Sequence, residues 1–304
     1  MRKLWIMPVA AALLMLAAGC SVPKVTVPDS ADHVGLAQEQ DVVLSGTMGQ
    51  GDEQWDYRIT TYTVTGEHCA HDDPSHVLTR HSYQLPSMEV LPSGDRKTVP
   101  EEAEAAAKAF NDYFAQVLQE ETAWFDEMAA SADEDYRTVG HQADSVWKQR
   151  SFHYSDEALL SFWSNGRVLC VTTDRSSYSG GPHPTAWRSC VSFDLSTGKA
   201  ITLSEMAGDV TRLQETVTRE LLRQAVERQR GNAGTAAVEY YEDYAETLQA
   251  WMERSICFDD QGMTVIFGVY DIAPYSAGEQ HFRIPYELLS PCLNAYGKTM
   301  LNLS

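Results

Sequence analysis

The sequence predicts an α+β protein, a two-part ectodomain of mixed or antiparallel sheet with packed helices. Three observations point there. Strand-like stretches come in runs, helical stretches stand between and after those runs, and no regular strand–helix alternation is present. The 304 residues suffice for one large or two small domains.

The elements follow in chain order. Arg2 and Lys3 precede an apolar run from Leu4 to Ala18, which ends in Ala17-Ala18-Gly19-Cys20. A short basic start, an apolar centre and small residues before a cut read as a secretory signal over residues 1–19. The run falls short of the roughly 20 residues a spanning helix needs. Cysteine directly after Ala-Ala-Gly resembles the bacterial lipobox. Cys20 is then the acyl anchor, and the mature protein is expected on a cell membrane, lipid-anchored and extracytoplasmic. An ordinary cleaved signal with a chance cysteine is the plainer alternative. Residues 20–50 then read as the lipidated cysteine and a flexible tether, with no sustained period and few large apolar groups.

Trp55, Tyr57 and Ile59 alternate with Asp56 and Arg58, and Thr60–Val64 continues the strand. Glu67–Ser75 is a polar loop, and Val77–Val90 a second strand interrupted at Pro86. Thr98 and Glu101 stand in capping-box spacing with Pro100 in the first turn. They open an alanine-rich helix to about Ala130, whose stripe of Phe110, Phe114, Val117, Leu118, Phe125 and Met128 is suited to pack on a sheet. Strand patterns return at Val146-Trp147, Phe152–Tyr154, Ala158–Trp163 and Val168–Thr173, with Asn165-Gly166 a hairpin turn. Trp187–Leu195 and Lys199–Leu203 make a further hairpin. Helical patterns cover Ser204–Gln229 and Val238–Arg254. Cys257-Phe258, a turn through Gly262, the strand Met263–Tyr270, His281–Ile284 and a short helix near Tyr286–Leu293 close the chain.

Lys and Arg number 23 against 43 Asp and Glu, a formal charge of −20, and loss of Arg2 and Lys3 with the leader makes it −22. Nucleic acid is thereby excluded as a partner, because phosphate binding needs clustered Lys and Arg. A cationic partner would be drawn in, at a rate that falls with salt; solubility alone is the plainer use of the charge. Five cysteines follow Cys20, an odd number that leaves at least one thiol unpaired or paired between molecules. Cys170 and Cys190 are equidistant from the turn near Gly180. They could face one another across a hairpin as a disulfide, or pack as two small apolar side chains.

Several segments together carry a family resemblance. They are Ser82-Tyr83-Gln84-Leu85-Pro86, the helix from Glu101, Tyr178-Ser179-Gly180-Gly181-Pro182-His183, Ser196-Thr197-Gly198-Lys199, and Val269–Gly278 with Tyr270, Pro274 and Tyr275, closed by Ile284-Pro285-Tyr286. Residues 51–182 resemble the accessory domain that precedes the catalytic barrel of PdaC-type peptidoglycan deacetylases. Residues 183–304 resemble its C-terminal companion in the ectodomain of RsiV-type anti-sigma factors. Pro182 departs from that pattern, which usually carries alanine there. The resemblance implies a two-part α+β ectodomain that binds a protein partner without catalysis. In the RsiV type the partner is lysozyme, a basic protein that a strongly acidic surface would attract. Without a spanning helix, the expectation for this chain is capture of a lysozyme-like or other cationic protein, or of a cell-envelope component, without transmembrane signalling.

Candidate chemistry is sparse. Phe258-Asp259-Asp260-Gln261-Gly262 resembles the Asp-Asp-Gly metal motif of polysaccharide deacetylases, yet only His281 follows as a nitrogen ligand. A hairpin turn is the simpler reading. His68, His71 and His76, with Cys69 or Asp72 as a fourth ligand, could hold zinc, or merely occupy an exposed loop. His183 could act as a base oriented by Asp174 or Asp194, with Ser179 as nucleophile, in a cell-envelope hydrolase. The plainer reading gives the glycines a sharp turn and His183 a hydrogen bond to a neighbouring strand. Glu242, Asp243 and Glu246 accompany Tyr240, Tyr244 and Trp251. The three aromatics share a face at helical spacing, so that stretch is either core packing or an acidic, aromatic surface for a basic partner. No cofactor is expected.

Overall fold

Seven strands form one sheet in the order in which they occur. They are β1 (Val34–Met48), β2 (Trp55–Cys69), β3 (Val77–Pro92), β4 (Tyr154–Ser164), β5 (Val168–Tyr178), β6 (Thr185–Asp194) and β7 (Lys199–Ile201). The computed structural model describes residues 34–49, 54–95, 97–231 and 237–303, within the unit Asp32–Ser304. The leader and Cys20 lie outside the described residues. Neighbouring strands are antiparallel except β3 and β4. That pair is parallel because the long helix α1 (Glu101–Val139) carries the chain back between them. The α+β class therefore holds, with one βαβ step inside an otherwise antiparallel sheet.

β1 corrects the expectation of a tether through residue 50. It pairs with β2 from Val34↔Gly66 to Met48↔Trp55, and Leu44 and Met48 pack against the core. β3 runs unbroken through Pro86, which pairs with Thr61. β4 reaches only as far as Tyr83, so a residue lacking an N–H is tolerated beyond that point, where β3 has one neighbour. α1 tends that open edge. The Asn111 Nδ2 donates to the Met88 carbonyl at 2.9 Å and its Oδ1 accepts from the Met88 N–H at 2.8 Å, as a neighbouring strand would.

α1 is capped otherwise than expected. Pro100 occupies the N-cap and no side-chain capping bond forms, so the Thr98–Glu101 box does not exist. Its apolar stripe behaves as read. Phe110 and Phe114 meet Trp55, Tyr57, Ile59, Leu85, Leu169, Val171 and Phe193 in one core. Phe125, Met128 and Ala132 meet Leu78, Trp147 and Tyr154 in a smaller one. The turn between β6 and β7 docks on this helix, and Gly198 lies so close that a Cβ there would fall 1.8 Å from the Ala106 carbonyl oxygen. Val146-Trp147, expected as a strand, is a single 3-10 turn at Val146–Lys148 with Trp147 buried.

The opposite face of β5 and β6 carries the second lobe. After α2 (Leu203–Met206) come α3 (Val210–Arg230) and α4 (Tyr244–Gln249). A sheet ordered β10-β9-β8 is built from β8 (Ser255–Asp259), β9 (Gly262–Phe267) and β10 (Gln280–Pro285). α5 (Tyr286–Leu289) and α6 (Ala295–Met300) end the chain. Leu213, Val217, Leu221 and Ala225, at helical spacing on α3, meet Val265, Phe267, Phe282, Ile284 and the fully buried Trp251. The helix expected over Val238–Arg254 is in fact α4 and a 3-10 turn at Trp251–Glu253. The domain boundary expected at residue 182 falls in the β5–β6 turn, whose strands pair from Val168↔Asp194 to Ser177↔Thr185. The cores of the two lobes lie on opposite faces of one sheet.

Candidate functional site

The β5–β6 turn and the segment after β9 form one aromatic corner. Gly180 (φ +89°) and Gly181 (φ +97°) take left-handed backbone that reverses the chain. The Tyr178 hydroxyl donates to the Gly181 carbonyl at 3.0 Å and fixes the reversal. His183 emerges from it and stacks on Tyr275, ring centroids 3.7 Å apart and planes 20° from parallel. Its Nδ1 lies 3.1 Å from the Pro184 carbonyl oxygen and its Nε2 3.4 Å from the Tyr270 hydroxyl. The Tyr275 hydroxyl donates to the Pro184 carbonyl at 3.2 Å. Pro274 caps the short 3-10 turn Tyr275–Ala277, and Gly278 ends it at φ +67°. Tyr178, Gly180, Gly181, His183, Tyr270, Pro274, Tyr275 and Gly278, far apart in sequence, thus make one feature. Gly198 serves the core and stands apart from it.

Residues 207–287, which include this segment and most of the second lobe, match the model of a family described as a protein of unknown function, DUF3298. Two solved structures of that family are similar to the chain. One, from Bacteroides fragilis, is 17% identical, with 80% of this chain and 96% of that chain covered and a TM-score of 0.53. The other, from Pseudomonas aeruginosa, is 14% identical, with 77% and 94% covered and a TM-score of 0.45. The first shows a shared fold. No curated protein matches.

The triad partners do not converge on His183. Asp174 is paired with Arg188 at 2.5 Å. Asp194 accepts from Ser196 and from Tyr296, 2.6 and 3.1 Å away. The Asp-Asp-Gln-Gly stretch is the β8–β9 turn, Asp259 Oδ1 accepting from the N–H groups of Gln261 and Gly262. The three histidines also go to three places, His68 on strand β2 and the other two in the turn after it. His68 Nε2 lies 2.8 Å from Asp133 on α1, His71 is exposed, and His76 is buried with its ring 5.2 Å from that of Tyr136. Among the described residues no group of three His, Cys, Asp or Glu is placed to hold a metal ion, which corrects the zinc reading.

The acidic segment, in contrast, borders the corner. The Tyr241 N–H donates to the Ile272 carbonyl at 2.9 Å, which joins the acidic segment to the stretch that carries Tyr270 and Tyr275. Glu242, Asp243 and Glu246 are exposed, as is Tyr241. Tyr240 and Trp251 are core residues, and Tyr244 stacks on Tyr240 with centroids 5.0 Å apart. The stretch therefore divides into a packed aromatic side and a solvated acidic side.

The sequence reading missed a buried ionic cluster. Arg175 donates from Nε to Asp156 at 3.0 Å and from Nη1 to Glu121 at 3.0 Å, beneath the rings of Tyr83, Trp124 and Trp187. Asp156 is buried. Burial pushes the Glu121 carboxyl up against the pull of Arg175, and burial likewise pushes the Tyr83 phenol up. A cavity of about 900 Å³ opens beside the cluster, lined by Glu67, Arg80, His81, His153, Asp156 and Glu157 among others. A signal existed: in Leu169, Val171, Thr173, Arg175 the strand alternation places Arg175 on the same face as two core residues.

Proposed function

We propose that the protein is a non-catalytic binding module, anchored at the cell surface through Cys20, which captures a basic protein. The binding surface is the acidic segment with Glu242, Asp243 and Glu246 together with the neighbouring corner of Tyr270, Tyr275 and His183. One observation carries the reading: the Tyr241–Ile272 backbone hydrogen bond joins the segment that bears the exposed carboxylates to the one that bears the exposed Tyr270. Aromatic anchors ringed by charge are the usual make-up of a protein interface, and the charge steers the encounter. The net charge of −20 and the resemblance to RsiV-type ectodomains both favour a lysozyme-like muramidase as the partner.

The test is binding of the lipid-free protein to hen egg-white lysozyme at low and at physiological salt, with muramidase activity followed in parallel. Saturable binding that weakens with salt and blocks lysis is expected. Combined Glu242→Lys, Asp243→Lys and Glu246→Lys should weaken it about tenfold or more at low salt. Asp243 makes no capping hydrogen bond to α4, so the change acts on the surface charge. No binding at either salt would overturn the lysozyme reading. Peptidoglycan turnover lost in His183→Ala would replace it with a hydrolase.

A further inference from the structure

Three thiols meet where the two sheets touch. Cys170 on β5, Cys190 on β6 and Cys257 on β8 lie at the face of the main sheet that the second lobe covers, and β8 lies against β6. Cys170 Sγ is 3.2 Å from Ser192 Oγ, and Cys257 Sγ is 3.7 Å from Thr172 Oγ1. Thr172 is the residue directly opposite Cys190 in the β5–β6 register. The Cys257 thiol therefore sits beside the Thr172–Cys190 pair, on the side of β6 that β8 packs against.

The register decides which pair can join. Cys170 lies opposite Ser192 and Cys190 opposite Thr172, which corrects the expectation that Cys170 and Cys190 face one another. They are diagonal neighbours, with Cα atoms about 7–8 Å apart in an antiparallel sheet. A disulfide spans about 4.4–6.8 Å. Cys257 belongs to the other sheet and is free of that constraint.

We propose that Cys190 and Cys257 form a thiol–disulfide exchange site, whose oxidised form ties the seven-stranded sheet to the three-stranded one. The oxidant is a disulfide, either glutathione disulfide or an exposed protein disulfide. The Cys257 thiolate attacks one sulfur of the donor, a Cys257–donor bond forms, and the donor's other sulfur leaves as a thiolate. The Cys190 thiolate then attacks the Cys257 sulfur, forming the Cys190–Cys257 bond and expelling the first donor sulfur. The two cysteine protons end on the two released thiols, and the donor takes up the two electrons the protein loses.

Access and charge assign the order. Cys257 lines a groove of about 390 Å³ with Thr172, Arg188, His281 and Arg283, whereas Cys170 is 1% exposed. Cationic neighbours favour a thiolate. The Cys190 thiol beside it, with Thr172 and Arg188, holds the Cys257 thiol below its usual range. The Cys170 and Cys257 thiols beside it, with burial, hold Cys190 above its own, which suits a second, resolving thiol.

The experiment uses the full chain with Cys20→Ser, equilibrated in glutathione buffers of increasing oxidation, alkylated and mapped by peptide mass spectrometry. A Cys190–Cys257 cross-linked peptide is expected, together with a thermal midpoint raised by roughly 5–10 °C. Cys190→Ser should stop at a glutathione adduct on Cys257. Cys257→Ser should give no cross-link, and Cys170→Ser should leave cross-linking unchanged. A Cys170–Cys190 peptide, dependence of the cross-link on Cys170, or three alkylated thiols under excess glutathione disulfide would each overturn the proposal.

Discussion

His183 lies flat on Tyr275, their ring centroids 3.7 Å apart and their planes within 20° of parallel. The contact ties the β5–β6 turn of the large sheet to the segment between β9 and β10 in the other lobe. The Tyr275 hydroxyl on the Pro184 carbonyl and the Tyr270 hydroxyl near His183 Nε2 hold the same junction. It is small, aromatic and partly solvated, a place where two lobes are locked in register and one side chain is left standing out. That side chain is Tyr270, 53% exposed.

Tyr270 stands at φ +68°, in the left-handed region that costs an ordinary residue about 1–2 kcal/mol. Such strain persists where surrounding structure holds it, commonly at functional surfaces. Two substitutions separate backbone from side chain. Both Tyr270→Ala and Tyr270→Gly lose the ring and should weaken partner binding alike. Only glycine relieves the backbone, so Tyr270→Gly should be the more stable of the two by about 1 kcal/mol in urea unfolding. Equal stabilities would show that the conformation is not strained.

Gly198 is a positional requirement of the fold. At φ +64°, with a Cβ destined to fall 1.8 Å from the Ala106 carbonyl oxygen, no side chain fits unless the β6–β7 turn lifts off α1. Gly198→Ala should cost about 3 kcal/mol or more by overpacking against backbone. Gly181, at φ +97° with nothing within 4 Å of a Cβ, is the control. Gly181→Ala should cost only the conformational penalty, about 1–2 kcal/mol. Equal losses at the two sites would mean that the turn yields.

What could be read from the chain alone was what depends on near neighbours. The α1 stripe, the Asn165-Gly166 hairpin and the Asp259–Gly262 turn are local patterns, and each formed where its residues stand. What escaped depends on register and on packing between distant segments. β1 is stabilised by pairing with β2 and carries only a short apolar alternation of its own at Leu44 and Met48. Whether Cys190 meets Cys170 or Cys257 turns on a two-residue offset across a hairpin. Burial of Arg175 follows from strand parity, but its partners Glu121 and Asp156 come from α1 and β4. The aromatic corner was legible as a set of residues, and not as a contact.

His81 should make the protein acid-sensitive. Its ring stacks on Tyr83 and meets Phe125 edge-on, with centroids 4.8 and 3.9 Å away. Neither ring nitrogen has a hydrogen-bond partner among the described residues. It abuts Gly66, where a Cβ would fall 2.6 Å from Nε2. Burial, with Arg175 adding to it and Asp156 opposing, pushes its pKa from 6.5 down to about 4. The folded state therefore resists a proton that the unfolded chain accepts. The resulting stability is complete above pH 6.5 and is lost as pH falls through 4. Between about pH 7 and pH 5 that loss is about 2 kcal/mol. Glu121 acts in the opposite sense. Its raised pKa contributes stability fully below the unfolded value, and that contribution is lost as pH rises through the folded one. The histidine effect is isolated by comparing urea unfolding of the wild type and His81→Leu at both pH values. The variant begins less stable, having lost two ring contacts, but its stability should fall less on acidification by about 2 kcal/mol. Parallel pH slopes for the two proteins would show that His81 does not carry the acid response.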